Sequence, residues 1–259
     1  MLQEPYENQI WGGQVEHIVV DDGSKDATCN IIEKYAEAHS HVVFVKFSQN
    51  KGTNAARNEA ISRAHGKWCI ILDSDDYFVD EALTIISQTM REHLHYKHYM
   101  FAPDDMQTYF KENPIIKGAA QKVLLYPDFL NGYIGGDFIH VCNTEILRKH
   151  PFDERIRIYE GLFFLMFYRD AQQMLFTNKV VTVRERHRED SVSKECLRTN
   201  DAIIRRITLS EELFKQYFFE DLYKLGMKRR MVATNLTLLD NYVLMGCYDK
   251  ALALLPELK

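Results

Sequence analysis

Apolar and polar positions follow two alternating rhythms through the first third of the chain. Residues 15–20 (VEHIVV) form a short β-branched run that the turn residues Asp21-Asp22-Gly23-Ser24 end. Residues 27–38 then place Ile31, Ile32, Tyr35 and Ala36 at helical spacing, with Asp26 positioned as a cap. A second strand is predicted over 42–47 (VVFVKF) and a turn over 48–52. A helix over 55–65 follows, with Gly66 as its stop. A third strand, 67–72, is closed by Asp73-Ser74-Asp75-Asp76, and the spacing predicts another helix over 80–93. Strand, helix, strand, helix, strand implies a parallel sheet covered by helices. In such sheets ligands bind beyond the carboxyl ends of the strands, where both acidic clusters fall. Two separate groups of carboxylates are therefore expected to face one crevice.

The middle of the chain, 96–136, carries Pro103, Pro114, Pro127 and the pair Gly135-Gly136 between short apolar pieces. It reads as strands and loops crossing over the crevice. An aromatic stretch over 161–173 predicts a buried helix, and 180–183 a strand. From Thr199 onward Ile203, Ile207, Leu213, Phe214, Val232, Leu236, Leu239 and Val243 recur at helical spacing. The organisation expected is a domain over 1–195 and a helical extension over 196–259.

Composition narrows the function. The 259 residues are 46% apolar and 27% charged, the make-up of an ordinary globular chain rather than a disordered one. The formal net charge of −5 offers no broad basic footprint, so nucleic acid is not an expected partner. No apolar run approaches the roughly 20 residues of a membrane-crossing helix. The first residues lack the basic start and apolar centre of a signal peptide. Cys29, Cys69, Cys142, Cys196 and Cys247 are scattered with no Cys-x-x-Cys pair, which suits free thiols in a reduced, cytoplasmic setting.

Asp73-Ser74-Asp75 sets two carboxylates side by side after an apolar strand. Mg²⁺ takes one or two carboxylates together with phosphate oxygens, so this tripeptide suits a metal bridged to a diphosphate. A solvated acidic turn with Asp80 capping the next helix explains it as well. Asp22 fits either an Asp-Gly turn or a carboxylate accepting a hydrogen bond from a nucleotide base.

Taken in order, IVVDDGSKDAT (18–28), QNKGTNAARNEAI (49–61), the turn at Ala64 and Gly66, and ILDSDDYF (71–78) resemble glycosyltransferase family 2. A weaker likeness continues through PFDERIRIYEGLFF (151–164) and RERHREDSVS (184–193). The resemblance covers roughly residues 15 to 195. It implies a GT-A, Rossmann-like α/β fold: a mostly parallel sheet flanked by helices, here with the C-terminal helical extension. It also implies an inverting transfer of sugar from a nucleotide-sugar, a UDP-sugar above all, to a saccharide or lipid-linked saccharide acceptor in cell-surface polysaccharide or glycolipid synthesis. Asp22 would contact the uracil, Asp73 would lie by the ribose, and Asp75 would bind Mn²⁺ or Mg²⁺ between the phosphates, with Asp76 a nearby alternative ligand. Arg57 would approach the nucleotide or brace the acidic loops, and on its own chemistry it suits pairing with a buried carboxylate.

Family members carry an acidic general base, often the Asp of a Glu-Asp pair, where a helix begins facing the acceptor. Here the pair reads Glu160-Gly161, so Glu160 is the candidate base. Asp137 is a candidate for contact with acceptor or sugar. The Arg186-His187-Arg188 loop would close over the diphosphate, Arg186 meeting the phosphates and His187 serving as a metal ligand.

The chain also departs from the family pattern. Members begin with a strand resembling VSVIIPVYN, central in the sheet, and here only a remnant of the following helix (2–11) precedes VEHIVV. That departure motivates an alternative: an N-terminally truncated, non-catalytic member that binds nucleotide-sugar or a protein partner. A nucleotidyltransferase ranks lower, because the Gly-rich basic phosphate loop of that class is absent. Lys224, Lys228, Arg229 and Arg230 beside Leu222, Leu225 and Met227 suit either a solvated helix end or peripheral contact with the inner face of a membrane.

Overall fold

Strand β1 (His17–Asp21) and strand β2 (Val42–Lys46) run parallel, in register from His17 opposite Val42 to Asp21 opposite Lys46. Helix α1 (Thr28–Ala38) makes the crossover between them, and α2 (Thr53–Arg63) leads on to β3 (Trp68–Ile70). The computed structural model describes residues 15–156, 159–184 and 201–258. Within them β1 and β2 pair only with each other, and β3 pairs only with β7 (Ile139–Asn143). Among the described residues no pairing joins the β1–β2 pair to β3; residues 1–14, where the departure from the family pattern was read, lie outside the described residues.

The second sheet has six strands. Its order is β3, β7, β5 (His98–Pro103), β8 (Gln173–Arg184) and β4 (Asp76–Phe78), with β6 (Gln121–Leu125) also on β8. Only β5 and β8 run parallel here. The β3–β7, β5–β7, β4–β8 and β6–β8 pairings are antiparallel. The sheet is thus mixed rather than mostly parallel, and the α/β class stands. Parallel pairing needs a long crossover. The helical rhythm that supplies one in the first half gives way to short connections in the second.

The segment expected as strands and loops crossing over the crevice contains the centre of the core. All six residues of β5 are buried, and they alternate in allegiance. Tyr99 and Phe101 join Leu83, Ile86 and Met90 of α3 (Ala82–Glu92) on one face. Met100 and Ala102 join Phe163 and Phe167 of α7 (Gly161–Ala171) on the other. The period-2 side-chain direction of a strand makes this two-faced burial obligatory. The short strand expected at 180–183 extends back to Gln173, because Gln172 adopts a φ of +62° and ends α7 there. Between β5 and α7 lie three shorter helices: α4 (Gln107–Glu112), α5 (Tyr126–Leu130) and α6 (Thr144–Lys149).

The C-terminal region is helical, as read: α8 (Asp201–Lys224), α9 (Lys228–Leu244) and α10 (Tyr248–Leu254). Leu213, Phe214, Phe218 and Leu222 of α8 belong to the same apolar cluster as α7 and β8. Tyr126 donates its hydroxyl to Asp221 over 2.6 Å and adds a polar tie. The 195/196 boundary falls outside the described residues. Helices α9 and α10 pack a small cluster of their own around Leu238, Tyr242, Ala251 and Leu254. No helix among the described residues is long and apolar enough to cross a membrane.

Candidate active site

Strand direction brings the acids to one end of the six-stranded sheet. Strand β3 runs toward Asp73, and its antiparallel neighbour β7 begins just after Asp137. Strand β5 ends at Pro103, before Asp104 and Asp105, and β8 ends at Arg184. The β4–β8 register sets Asp76 directly opposite Arg184.

The first acidic turn is built around Gly23. Its φ of +79° suits glycine, and a β-carbon there would stand 2.8 Å from the Asn50 nitrogen. Close approach lets Asp22 accept N–H bonds from Lys51 (2.6 Å) and Gly52 (2.8 Å). Asp22 therefore ties the end of β1 to the start of α2. Asp21 beside it is buried and accepts from Gly23, Ser24 and the Cys29 thiol. Burial works against its charge. The hydrogen bonds outweigh it and hold the carboxyl below the ordinary aspartate range.

One face of α2 organises the other half of the site. Asn54, Arg57, Asn58 and Ile61 recur at i, i+3, i+4 and i+7. Asn54 donates to the carbonyls of Asp153 (3.0 Å) and Ile156 (2.5 Å). Asn58 exchanges two bonds with the Phe152 backbone, 2.9 and 2.8 Å. These bonds hold the loop that leads to Glu160, which stands immediately before the first residue of α7. Arg57 then donates Nη2 to Asp73 and Nη1 to Glu160, both at 2.8 Å. Burial opposes the guanidinium charge, yet Asp73 and Glu160 outweigh it and raise its pKa above the ordinary value. Asp22's partners sit at the N-terminal end of α2. Arg57 is five residues beyond Gly52, about 7.5 Å along a helix axis.

A second cation anchors the rest. Arg184 lies 2.9 Å from Asp137, 3.7 Å from Asp105 and 3.9 Å from Asp76, and its backbone N–H donates to Asp104. Burial pushes the Asp76 carboxyl up to about 6. Arg184 pulls it back, and the charges of Asp73, Asp75 and Asp105 add to the rise. The loop bearing Asp137 is seated by Gly136, whose φ is +88° and whose β-carbon would stand 2.7 Å from Met106 Cε. Gly135 N–H donates to the Tyr109 hydroxyl over 2.9 Å.

Of the residues named from sequence, Asp73, Arg57 and Glu160 form one bonded chain. Asp75 lies in the turn beside them, Asp137 reaches the site through Arg184, and Asp22 meets α2 from the opposite sheet. Arg186 and His187 lie outside the described residues. The sequence reading passed over Arg184, Asp104 and Asp105. Asp104 and Asp105 had position as their signal, following an apolar strand at the sheet end where Asp73 and Asp75 sit; Arg184 closes β8 and opens the RERHREDSVS segment, but was given no role. Among the described residues no three His, Cys, Asp or Glu side chains stand together as a metal cage. The pair Asp73 and Asp75 still fits a hard cation, since Mg²⁺ or Mn²⁺ shares such a pair with phosphate oxygens and water.

Residues 7–128 match the profile described as glycosyl transferase family 2. The cholesterol galactosyltransferase of Borreliella burgdorferi is 24% identical over 285 aligned residues, spanning 94% of this chain and 75% of that protein. The crystal structure of S. aureus TarS 1–349 in complex with UDP-GlcNAc superposes with a TM-score of 0.63 at 19% identity. That match covers 88% of this chain and 63% of TarS 1–349. The mannosyltransferase PcManGT of Pyrobaculum calidifontis, in complex with GDP-Man and Mn²⁺, gives 0.57 at 15% identity over 91% of this chain and 66% of that one. At such identities the structural likeness speaks for the fold. The fold is that of the GT-A glycosyltransferases, and over residues 7–128 and along the curated relatives the chain is similar to glycosyltransferase family 2.

Proposed function

We propose that this chain transfers a sugar, with inversion, from a nucleotide-sugar to a hydroxyl of a saccharide or lipid-linked acceptor in the synthesis of a cell-surface glycan or glycolipid. The observation that carries the reading is the Asp73–Arg57–Glu160 chain of 2.8 Å bonds, which sets a candidate base beside the paired carboxylates of the acidic turn. Relatives support the donor class: TarS has been crystallised with UDP-GlcNAc and with UDP, and PcManGT with GDP-Man and Mn²⁺. The galactosyltransferase relative is named for cholesterol, a lipid acceptor, and another relative for a diphosphoundecaprenol-linked one.

In this reading Asp22 and the turn it stabilises receive the base, uracil in the favoured case. Asp73 lies by the ribose, and Asp75 with Asp73 holds Mn²⁺ or Mg²⁺. The bound cation supplies charge stabilisation for the leaving diphosphate. Glu160 takes the proton from the acceptor hydroxyl as its oxygen forms a bond to the anomeric carbon, and the electrons of the breaking C–O bond leave on the diphosphate. Arg57 engages Oε1 of Glu160 and so orients the carboxylate. Asp137 faces the acceptor or donor sugar. Arg186 and His187 complete the phosphate side, and the setting is the cytoplasmic face of a membrane.

Calorimetry with UDP and Mn²⁺ tests the donor site, and Asp75→Ala is expected to abolish metal-dependent binding. Glu160→Gln is expected to bind UDP normally and lose transfer. Unchanged binding in Asp75→Ala would refute that assignment. One competing reading is a non-catalytic member that binds nucleotide-sugar or a partner protein. Donor turnover by the native chain decides against it.

A further inference from the structure

Helix α9 buries one side and exposes the other. Thr234, Asn235, Leu238, Asn241 and Tyr242 face inward, packed with α8 and α10. The opposite side carries Arg229, Val232, Ala233, Leu236, Asp240, Val243 and Leu244, all exposed. The exposure is substantial: Leu236 50%, Val243 48% and Leu244 59%, with Leu225 in the preceding turn at 46%. An exposed stripe of this kind, apolar but for Arg229 and Asp240, marks a contact surface.

The spacing along the stripe identifies what covers it. Arg229, Ala233, Leu236, Asp240 and Val243 follow one another at steps of four, three, four and three, the 3.5-residue repeat of a helix–helix seam. The stripe is also complementary to itself in the antiparallel sense. With a twofold axis crossing the helix at the level of residues 234 and 235, Arg229 of each copy meets Asp240 of the other. Ala233 then meets Leu236, small against large, and the turn bearing Leu225 approaches the end bearing Leu244. A slip that centres the seam on Leu236 would press Arg229 against Val243 and Asp240 against Val232, burying charge against apolar side chains. The charges thus select one register. We propose that α9 is a homodimerisation helix, pairing antiparallel with α9 of a second copy of this chain through an isologous contact.

A lipid surface fits the same face less well. Asp240 lies within the apolar stripe and would enter the bilayer as a carboxylate. The basic cluster expected to meet anionic lipid is also divided. Lys224 pairs with Glu220 at 2.5 Å, and the Arg230 guanidinium lies over the Phe214 ring at 4.8 Å.

The experiment is sedimentation velocity on the full chain. The native chain is expected to be dimeric at roughly 50 µM, and Leu236→Glu monomeric with unchanged circular dichroism. Arg229→Glu is expected to weaken the dimer about tenfold or more, and the double exchange Arg229→Glu with Asp240→Arg to restore it. If Leu236→Glu fails to fold, the two charge variants, both at exposed positions, decide. A monomeric native chain, a dimer indifferent to Leu236→Glu, or a double exchange no better than Arg229→Glu would overturn the proposal. So would a monomer that binds phosphatidylglycerol vesicles and loses them on Leu236→Glu, which would assign the stripe to lipid.

Discussion

Arg57 donates Nη2 to Asp73 and Nη1 to Glu160, each over 2.8 Å, so one guanidinium on α2 joins the acidic turn after β3 to the start of α7. Two carboxylates brought this close need a cation between them, and a planar fork reaches both where a point charge would favour one.

Arg57→Lys is therefore expected to cut the transfer rate about 100-fold, because Glu160 loses its orientation, with a smaller loss of donor affinity through Asp73. Arg57→Ala is expected to cost in addition about 2–4 kcal/mol of stability, leaving a part-buried carboxylate without its cation. Steady-state kinetics and denaturant titration separate the two effects. Equal catalytic constants for the native and Lys forms would remove Arg57 from positioning.

Gly23→Ala should be among the costlier single-methyl changes in the chain. The left-handed backbone and a β-carbon 2.8 Å from the Asn50 nitrogen both oppose it. A loss of about 1–3 kcal/mol is expected, together with weaker UDP binding as Asp22 loses its N–H donors. Thermal melts with and without UDP read both.

A buried and a half-buried imidazole beneath the site predict acid lability. His98 Nε2 and His140 Nδ1 lie 3.0 Å apart between Phe167, Tyr168 and Phe164. Burial lowers both, His140 to about 3, with Arg57 adding to its fall. In the unfolded chain each imidazole takes a proton near pH 6.5, and in the folded chain His140 does so only near 3. Between these values the unfolded state binds more protons, so stability is full above 6.5 and falls as pH drops, by up to about 1.4 kcal/mol per unit for each imidazole. His140→Asn keeps a hydrogen-bonding atom and should flatten that slope. An unchanged slope would place the acid sensitivity elsewhere.

Phe218→Ala should destabilise the whole molecule rather than its C-terminal helices alone. Phe218 is fully buried in the cluster shared by α7, α8 and β8. A loss of about 3–5 kcal/mol in one cooperative transition is expected. Two separated calorimetric transitions would show instead that α8 unfolds as part of an independent unit.

Local rhythm and turn chemistry were enough to read β1, β2, β3 and the helices α1, α2 and α3, because each carries its own periodicity and stop signals; β4, three residues inside the acidic turn's exit, had none and is held by its distant partner β8. The acidic turns at 21–24 and 73–76 were legible for the same reason: each is a polar stop on an apolar strand. Direction within the second sheet was not legible. Whether β7 runs against β5, or β4 against β8, depends on pairing partners far apart in sequence.

From its residues alone the chain determined its α/β class, its helical C-terminus, and that Asp22, Asp73 and Asp75 end strands. Only the tertiary structure decided that Arg57 bridges Asp73 to Glu160, 87 positions further along the chain, and that Arg184 gathers Asp76, Asp105 and Asp137. The physical reason is range. Periodicity and turn preference act within a few residues, whereas a charge finds its partner through the packing of whole elements, and no local pattern records which elements will meet.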